Sequence, residues 1–122
     1  MASPAIAIKD LDAMTEVLRV LANPVRLRIL EWLGDPDTHF SEWEPIAARA
    51  EAGVCVSHIQ AKTQLAQSTV SAYMTDMQRA GLVTSTRVGK WTHYRRDDEA
   101  VSAFIRLLGD TLTASSVHTP TA

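Results

Sequence analysis

Cys55 and His58 stand one helical turn apart in the segment VCVSHIQ. A thiol and an imidazole at that spacing share one helix face and form a nitrogen–sulfur ligand pair. Two donors fall short of the four that a structural transition-metal centre takes. The other histidines, His39, His93 and His118, are scattered, and the run Asp97-Asp98-Glu99 has no histidine beside it. No glycine loop for cradling phosphate, no HExxH pair and no GxSxG elbow occurs, so no enzymatic chemistry, cofactor or metal site is expected. Cys55 itself has two readings. It is a small buried apolar residue, the commonest fate of a lone cysteine, or a redox or electrophile sensor if a helix N-terminus just after it lowers its pKa.

A second set of residues suits recognition of a polyanion. With Val70, Met74 and Met77 as a buried stripe at i, i+4 and i+7, the opposite helix face carries Ser68, Ala72, Thr75 and Arg79, flanked by Thr69 and Ser71. Small side chains let a helix backbone approach base edges, and Ser, Thr and Gln hydrogen-bond to bases or phosphates. Ordinary exposed helices carry Glu–Lys pairs, which this one mostly lacks. Arg87 and Lys90 follow in an expected hairpin loop, placed to straddle a phosphate backbone. The chain has a formal net charge of −2, yet Val56–Arg96 holds six basic residues against one acid, Asp76, a local +5. A basic middle in an acidic chain suggests one polyanion-binding face, with a protein-interaction module that binds no nucleic acid as the alternative.

These residues need a frame to hold them. At 122 residues the chain is expected to be one domain with a single core. It has no apolar run long enough to span a bilayer and no basic, apolar leader, and its one cysteine fits a reducing cytoplasm. Residues 1–9 are expected to form a flexible arm. Asp10 caps a helix in which Leu11, Met14, Leu18 and Leu21 make a narrow seam of the kind that packs on a partner chain. Asn23-Pro24 opens a core helix that ends at Gly34, and Asp35-Pro36-Asp37 turns the chain. Residues 37–54 read as an insertion in which Pro45 opens a short helix through Ala50, while Phe40 and Trp43 cover the core. Two helices with a tight break follow, the first capped by Ser57 and the second running from Gln67 to Ala80. Strands over 82–86 and 91–95 make a small hairpin with Gly89 in its loop. Val101, Phe104, Ile105, Leu108 and Leu112 stripe a last helix, and a flexible tail is expected over 114–122.

Helix, helix, tight turn, helix, hairpin, helix is the layout of a winged helix-turn-helix over residues 10–113. Here three stretches, in order, resemble the ArsR/SmtB family of repressors. VLRVLANPVRLRILEWL is similar to the family's ALANPTRLRIL, LAQSTVSAYMTDMQRAGLV to its LSQSTVSxHLxxLxxAGLV, and RVGKWTHYRRDDE to its wing, RxGRxxYYRL. The resemblance implies a mainly α fold with a small β-hairpin, and a homodimer held through the first and last helices by Leu11, Met14, Leu18, Val101, Phe104, Ile105 and Leu108. It implies a cytoplasmic repressor that binds double-stranded DNA at an imperfect inverted repeat and is released by a metal, redox or small-molecule inducer. Carried over by position, Gln67, Ser68, Thr69 and Ser71 contact DNA, and Tyr73 stands where the family often has His. Ala66 and Gln64 replace the usual capping Ser and turn Gly. The soft-metal sensors of the family carry ELCVC at the start of the third helix; the aligned stretch is GVCVS, so one thiol survives and Ser57 takes the second position.

Overall fold

The computed structural model describes residues 10–118, with side chains through residue 113. The arm expected over 1–9 and the end of the tail, 119–122, lie outside the described residues. Helix α1 spans Leu11–Leu21, and the Ala13 N–H donates to its cap, Asp10 Oδ1, at 2.8 Å. Helix α2 spans Pro24–Leu33. Asn23 Oδ1 accepts from the N–H groups of Val25 (2.9 Å) and Arg26 (3.0 Å), and Pro24 supplies a first helical residue with no N–H to satisfy.

The insertion folds differently from expectation. Asp35-Pro36 does not simply turn the chain but opens a single helical turn, α3 (Pro36–His39), because proline is as suited to a helix's first position as to a turn. No helix starts at Pro45. The short helix α4 spans Arg49–Ala52, and Gly53 (φ +88°) ends it in a conformation that side chains resist. Arg49 organises the loop before it, donating from Nη2 to the carbonyls of Phe40 and Trp43, both at 2.7 Å. Phe40 and Trp43 do cover the core: Phe40 is fully buried, edge-on to Trp32.

A strand then appears where none was expected, β1 (Val54–Cys55). Helix α5 (Val56–Thr63) starts directly after it, so Cys55 and not Ser57 occupies the cap position. Gln64 takes a left-handed conformation (φ 61°), and α6 (Gln67–Arg79) follows from Ala66, which makes no side-chain cap bond. The hairpin strands β2 (Val83–Val88) and β3 (Trp91–Arg96) are longer than expected, leaving only Gly89 and Lys90 in the turn. The sheet order is β1-β3-β2, antiparallel throughout, with Cys55 opposite His93 and Thr86 opposite the same His93. The last helix, α7, spans Asp98–His118 and so passes the expected boundary at 113. Asp97 Oδ1 accepts from the Ala100 N–H at 2.9 Å and caps it.

One core joins these parts: Val17 and Val20 from α1, Ile29 from α2, Ile59 from α5, Val70, Met74 and Met77 from α6, and Leu82 beneath the sheet. Burying each such side chain contributes about 1.5–3 kcal/mol. The α6 stripe read from its spacing is therefore the anchor of the helix. Among the described residues no helix is long and apolar enough to cross a membrane.

Candidate nucleic-acid interface

Helix α6 is held on three sides. Its apolar stripe enters the core, Gln78 Nε2 donates to Ser85 Oγ on β2 (3.0 Å), and Tyr73 meets α2. At that last contact the Arg26 guanidinium lies 4.9 Å from the Tyr73 ring centroid, and Asn23 Nδ2 donates to the Tyr73 hydroxyl at 3.5 Å. Tyr73 thus sits half-buried at the joint between α2 and α6. Asp76, the lone acid of the segment, is drawn to the same joint, 4.0 Å from Arg26.

What remains outward is the set read from the helical period. Gln67, Ser68, Ala72, Thr75 and Arg79 are exposed, and Thr69 and Ser71 flank them half-buried. Among the described residues the side chains of Gln67, Ser68, Thr69, Ser71, Thr75 and Arg79 make no hydrogen bond or ion pair. Their donors and acceptors are left to water or to a ligand. The turn before the helix is tight because Gln64 adopts the left-handed conformation usually given to glycine, its N–H donating to the Gln60 carbonyl at 2.9 Å.

The hairpin projects beyond this helix. Arg87 lies on β2, not in the loop as expected, and its Nε donates to the Gly89 carbonyl at 3.3 Å. Lys90 sits in the turn with its Nζ 5.4 Å from the Trp91 ring centroid. Gly89 (φ +60°) makes the two-residue turn possible. Both cations are exposed.

The two seams assigned to dimer contact divide. Met14 (3 % exposed) and Phe104 (6 %) are buried in the protomer's own core, because each seam also faces the body it packs on. Leu11 (64 %) and Ile105 (60 %) are exposed, as are Leu18 and Leu112, while Val101 and Leu108 are half-buried. Exposed apolar side chains thus stand on both α1 and α7.

Cys55 and His58 do not converge with a third ligand: among the described residues no three His, Cys, Asp or Glu side chains gather at metal-binding range. Cys55 is buried with Sγ 3.1 Å from Ser57 Oγ. His58 stacks on Trp43 at 6.0 Å, and its pKa is lowered by burial first, then by Arg49 and His93. His93, set aside in the sequence as scattered, is buried directly across the ladder from Cys55. A signal for it existed: the family's wing pattern has Tyr where this chain has His93.

A helix seated by its apolar stripe behind a tight turn, with a basic hairpin beside it, defines a winged helix-turn-helix. The comparisons with known proteins agree. The helix-turn-helix-type transcriptional regulator YbzH of Bacillus subtilis is 49% identical over 86 residues, covering 70% of this chain and 85% of that one. A putative arsenical resistance operon repressor of Halobacterium salinarum, ArsR2, is 33% identical over 104 residues, covering 83% and 75%. The fold resembles the homodimeric winged helix-turn-helix DNA-binding domain of a possible ArsR-family regulator from Mycobacterium bovis, with TM-score 0.56 at 22% identity over 98% of this chain and 94% of that one. No family model matches the chain. The chain belongs to the ArsR family of helix-turn-helix transcriptional regulators.

Proposed function

We propose that the protein is a homodimeric, sequence-specific DNA-binding repressor, with α6 entering the major groove and the β2–β3 wing reaching the neighbouring backbone. The observation that carries this reading is the outward face of α6. Its hydrogen-bonding side chains are exposed or half-buried and make no hydrogen bond or ion pair among the described residues, and the helix beneath them is anchored in the core by Val70, Met74 and Met77. Ser68, Thr75 and Arg79 read base edges and phosphates; Arg87 and Lys90 grip the backbone on either side of the wing turn. The exposed strip of Leu11, Leu18, Ile105 and Leu112 pairs with its copy across a twofold axis, so the operator is an imperfect inverted repeat. An arsenical signal does not transfer from the halobacterial relative. One cysteine per chain gives a dimer two thiolates, one fewer than trigonal arsenite takes.

Fluorescence anisotropy with genomic fragments tests the reading. Binding is expected in the 10⁻⁸–10⁻¹¹ M range characteristic of specific complexes, weakening steeply with salt. Changing Arg87 and Lys90 to Ala lowers affinity for all sequences and reduces the salt slope by about one per lost phosphate contact. Changing Ser68 to Ala shifts sequence preference instead. Ile105→Asp leaves a monomer by light scattering and abolishes operator binding. Salt-insensitive binding, or none, assigns the fold to a protein-interaction module.

A further inference from the structure

Three arginines converge on a cleft between the insertion and the base of the wing. It has a volume of about 440 Å³ and is lined by Arg49 of α4 and by Arg95 and Arg96 at the end of β3. Small-molecule sites commonly measure about 300–1,000 Å³. Backbone carbonyls hold all three guanidinium groups. Arg49 Nη2 donates to Phe40 and Trp43, Arg95 Nη1 to Ala50 at 3.0 Å, and Arg96 Nη1 to Leu30 at 3.4 Å. A Cβ at Gly34 would collide with Arg96 Nη1 and Cζ, so glycine leaves room for that group. Carbonyl oxygens orient a guanidinium but carry no net charge to cancel its own. The Arg49 side chain, 9 % exposed, meets one carboxylate, that of Asp37, at 3.3 Å, and Asp37 is itself 86 % exposed. Arg95 forms no ion pair among the described residues, and the Ala50 bond occupies one of its five N–H donors. Two carboxylates complete the polar lining: Asp97, whose Oδ1 caps α7, and Asp98, paired with Arg96 at 2.6 Å. Three positive groups against two negative ones leave the lining one positive charge in excess, and a partly buried charge calls for a counter-ion.

We propose that this cleft binds a small organic monocarboxylate, and that the bound anion is the signal that lowers operator affinity; the second half rests on the DNA-binding reading above. A carboxylate fits the planar fork of a guanidinium through two parallel N–H···O bonds, and Arg95 keeps donors for it. One negative charge cancels the excess. A phosphate dianion would overshoot it and be repelled by Asp97 and Asp98. Leu33, Pro36 and Ala50 supply apolar wall for the hydrocarbon body of the ligand. Through Arg49 and Ala50 the insertion furnishes one side of the site, and Thr84 and Arg95 furnish the wing's side. A ligand held between them therefore sets the base of the wing against α4. It also removes one charge from the basic segment that draws a polyanion, which fixes the sign of the effect.

The test is calorimetric titration of the full chain, without DNA, with benzoate, phenylacetate and hexanoate, each beside its neutral amide, and with inorganic phosphate. At least one carboxylate is expected to bind once per chain, about tenfold or more tighter than its amide and than phosphate. Arg95→Gln should weaken that binding about ten- to a hundredfold, the range for a lost hydrogen bond to a charged group. Ala50→Trp keeps every charge but fills the cleft and should abolish binding. Arg19→Gln, which removes a cation of α1 outside the cleft, should bind as the wild type does. Should Ala50→Trp fail to fold, the exposed Arg95 decides. Wild-type affinity in Arg95→Gln or in folded Ala50→Trp, equal binding of acid and amide, tighter binding of phosphate, or no binding of any carboxylate overturns the site. With operator DNA, saturating ligand should weaken wild-type binding about 5- to 150-fold and leave Arg95→Gln unaffected. Operator affinity that the bound ligand does not change overturns the signalling role. A chain that binds the carboxylate but no DNA overturns the operator reading and the signalling role with it, and leaves the cleft standing.

Discussion

The outward face of α6 and the buried pair Cys55 and His93 on the sheet treat polar groups in opposite ways. On α6 the hydroxyls of Ser68 and Thr75 and the guanidinium of Arg79 are exposed, where water satisfies them at no cost to folding. On the sheet Cys55 and His93 are buried, and neither imidazole nitrogen has a hydrogen-bond partner among the described residues. The first surface is free to change its sequence without touching the fold. The second is bound to the fold, so a change there is felt in stability.

That contrast can be broken or sharpened by measuring stability on both sides of it. The largest effect is expected from Phe40→Ala, which removes the ring that fastens the insertion between Trp32 and Trp43. A loss of about 3–5 kcal/mol in urea unfolding is expected, enough to consume much of a small domain's stability. His93→Phe should go the other way: two orphaned nitrogens disappear and the protein gains about 1–3 kcal/mol. A loss of stability would mean that His93 is satisfied in solution and would erase the contrast. Between the two regions, Ala66→Ser supplies α6 with the cap it lacks and should add about 1 kcal/mol. Smallest of all, Ser68→Ala and Thr75→Ala should each stay within about 0.5 kcal/mol of wild type while changing DNA binding. If they unfold the protein, the outward face is structural after all.

Acid provides a further check on the covered side. His58 has its pKa lowered from 6.5, by burial and by its positive neighbour Arg49, so the unfolded chain binds the proton more readily than the folded one. The stability linked to this group is present above pH 6.5 and is lost as the pH falls toward the lowered value. His58→Gln should flatten that part of a pH–stability curve measured by thermal unfolding.

The spacing of Val70, Met74 and Met77 was enough to orient α6, because a buried stripe at helical period leaves no choice about which residues face out. The caps at Asp10 and Asn23 and the hairpin around Gly89 were legible for a similar reason: each depends on residues next to one another in the chain. The helix expected at Pro45 failed because α4 follows from packing on β2 and β3, not from a local start signal. Strand β1 has two residues and therefore no period to detect. Tyr73 meets Arg26, which lies 47 positions earlier, a contact that no local pattern announces. Met14 and Phe104 were legible as apolar, but not as inward-facing, since a stripe alone does not say which body it meets.

Local order thus came from the amino-acid pattern: the helices, the wing, the outward donors of α6 and the basic middle of the chain all follow from neighbours within a few residues. The meeting of Cys55 with His93 did not. Thirty-eight residues separate them, and only the register of β1 on β3, fixed by the close approach at Gly53, puts a thiol opposite an imidazole. Short-range patterns carry information about faces; pairings across a sheet depend on how distant segments fit, and that is decided when the chain packs.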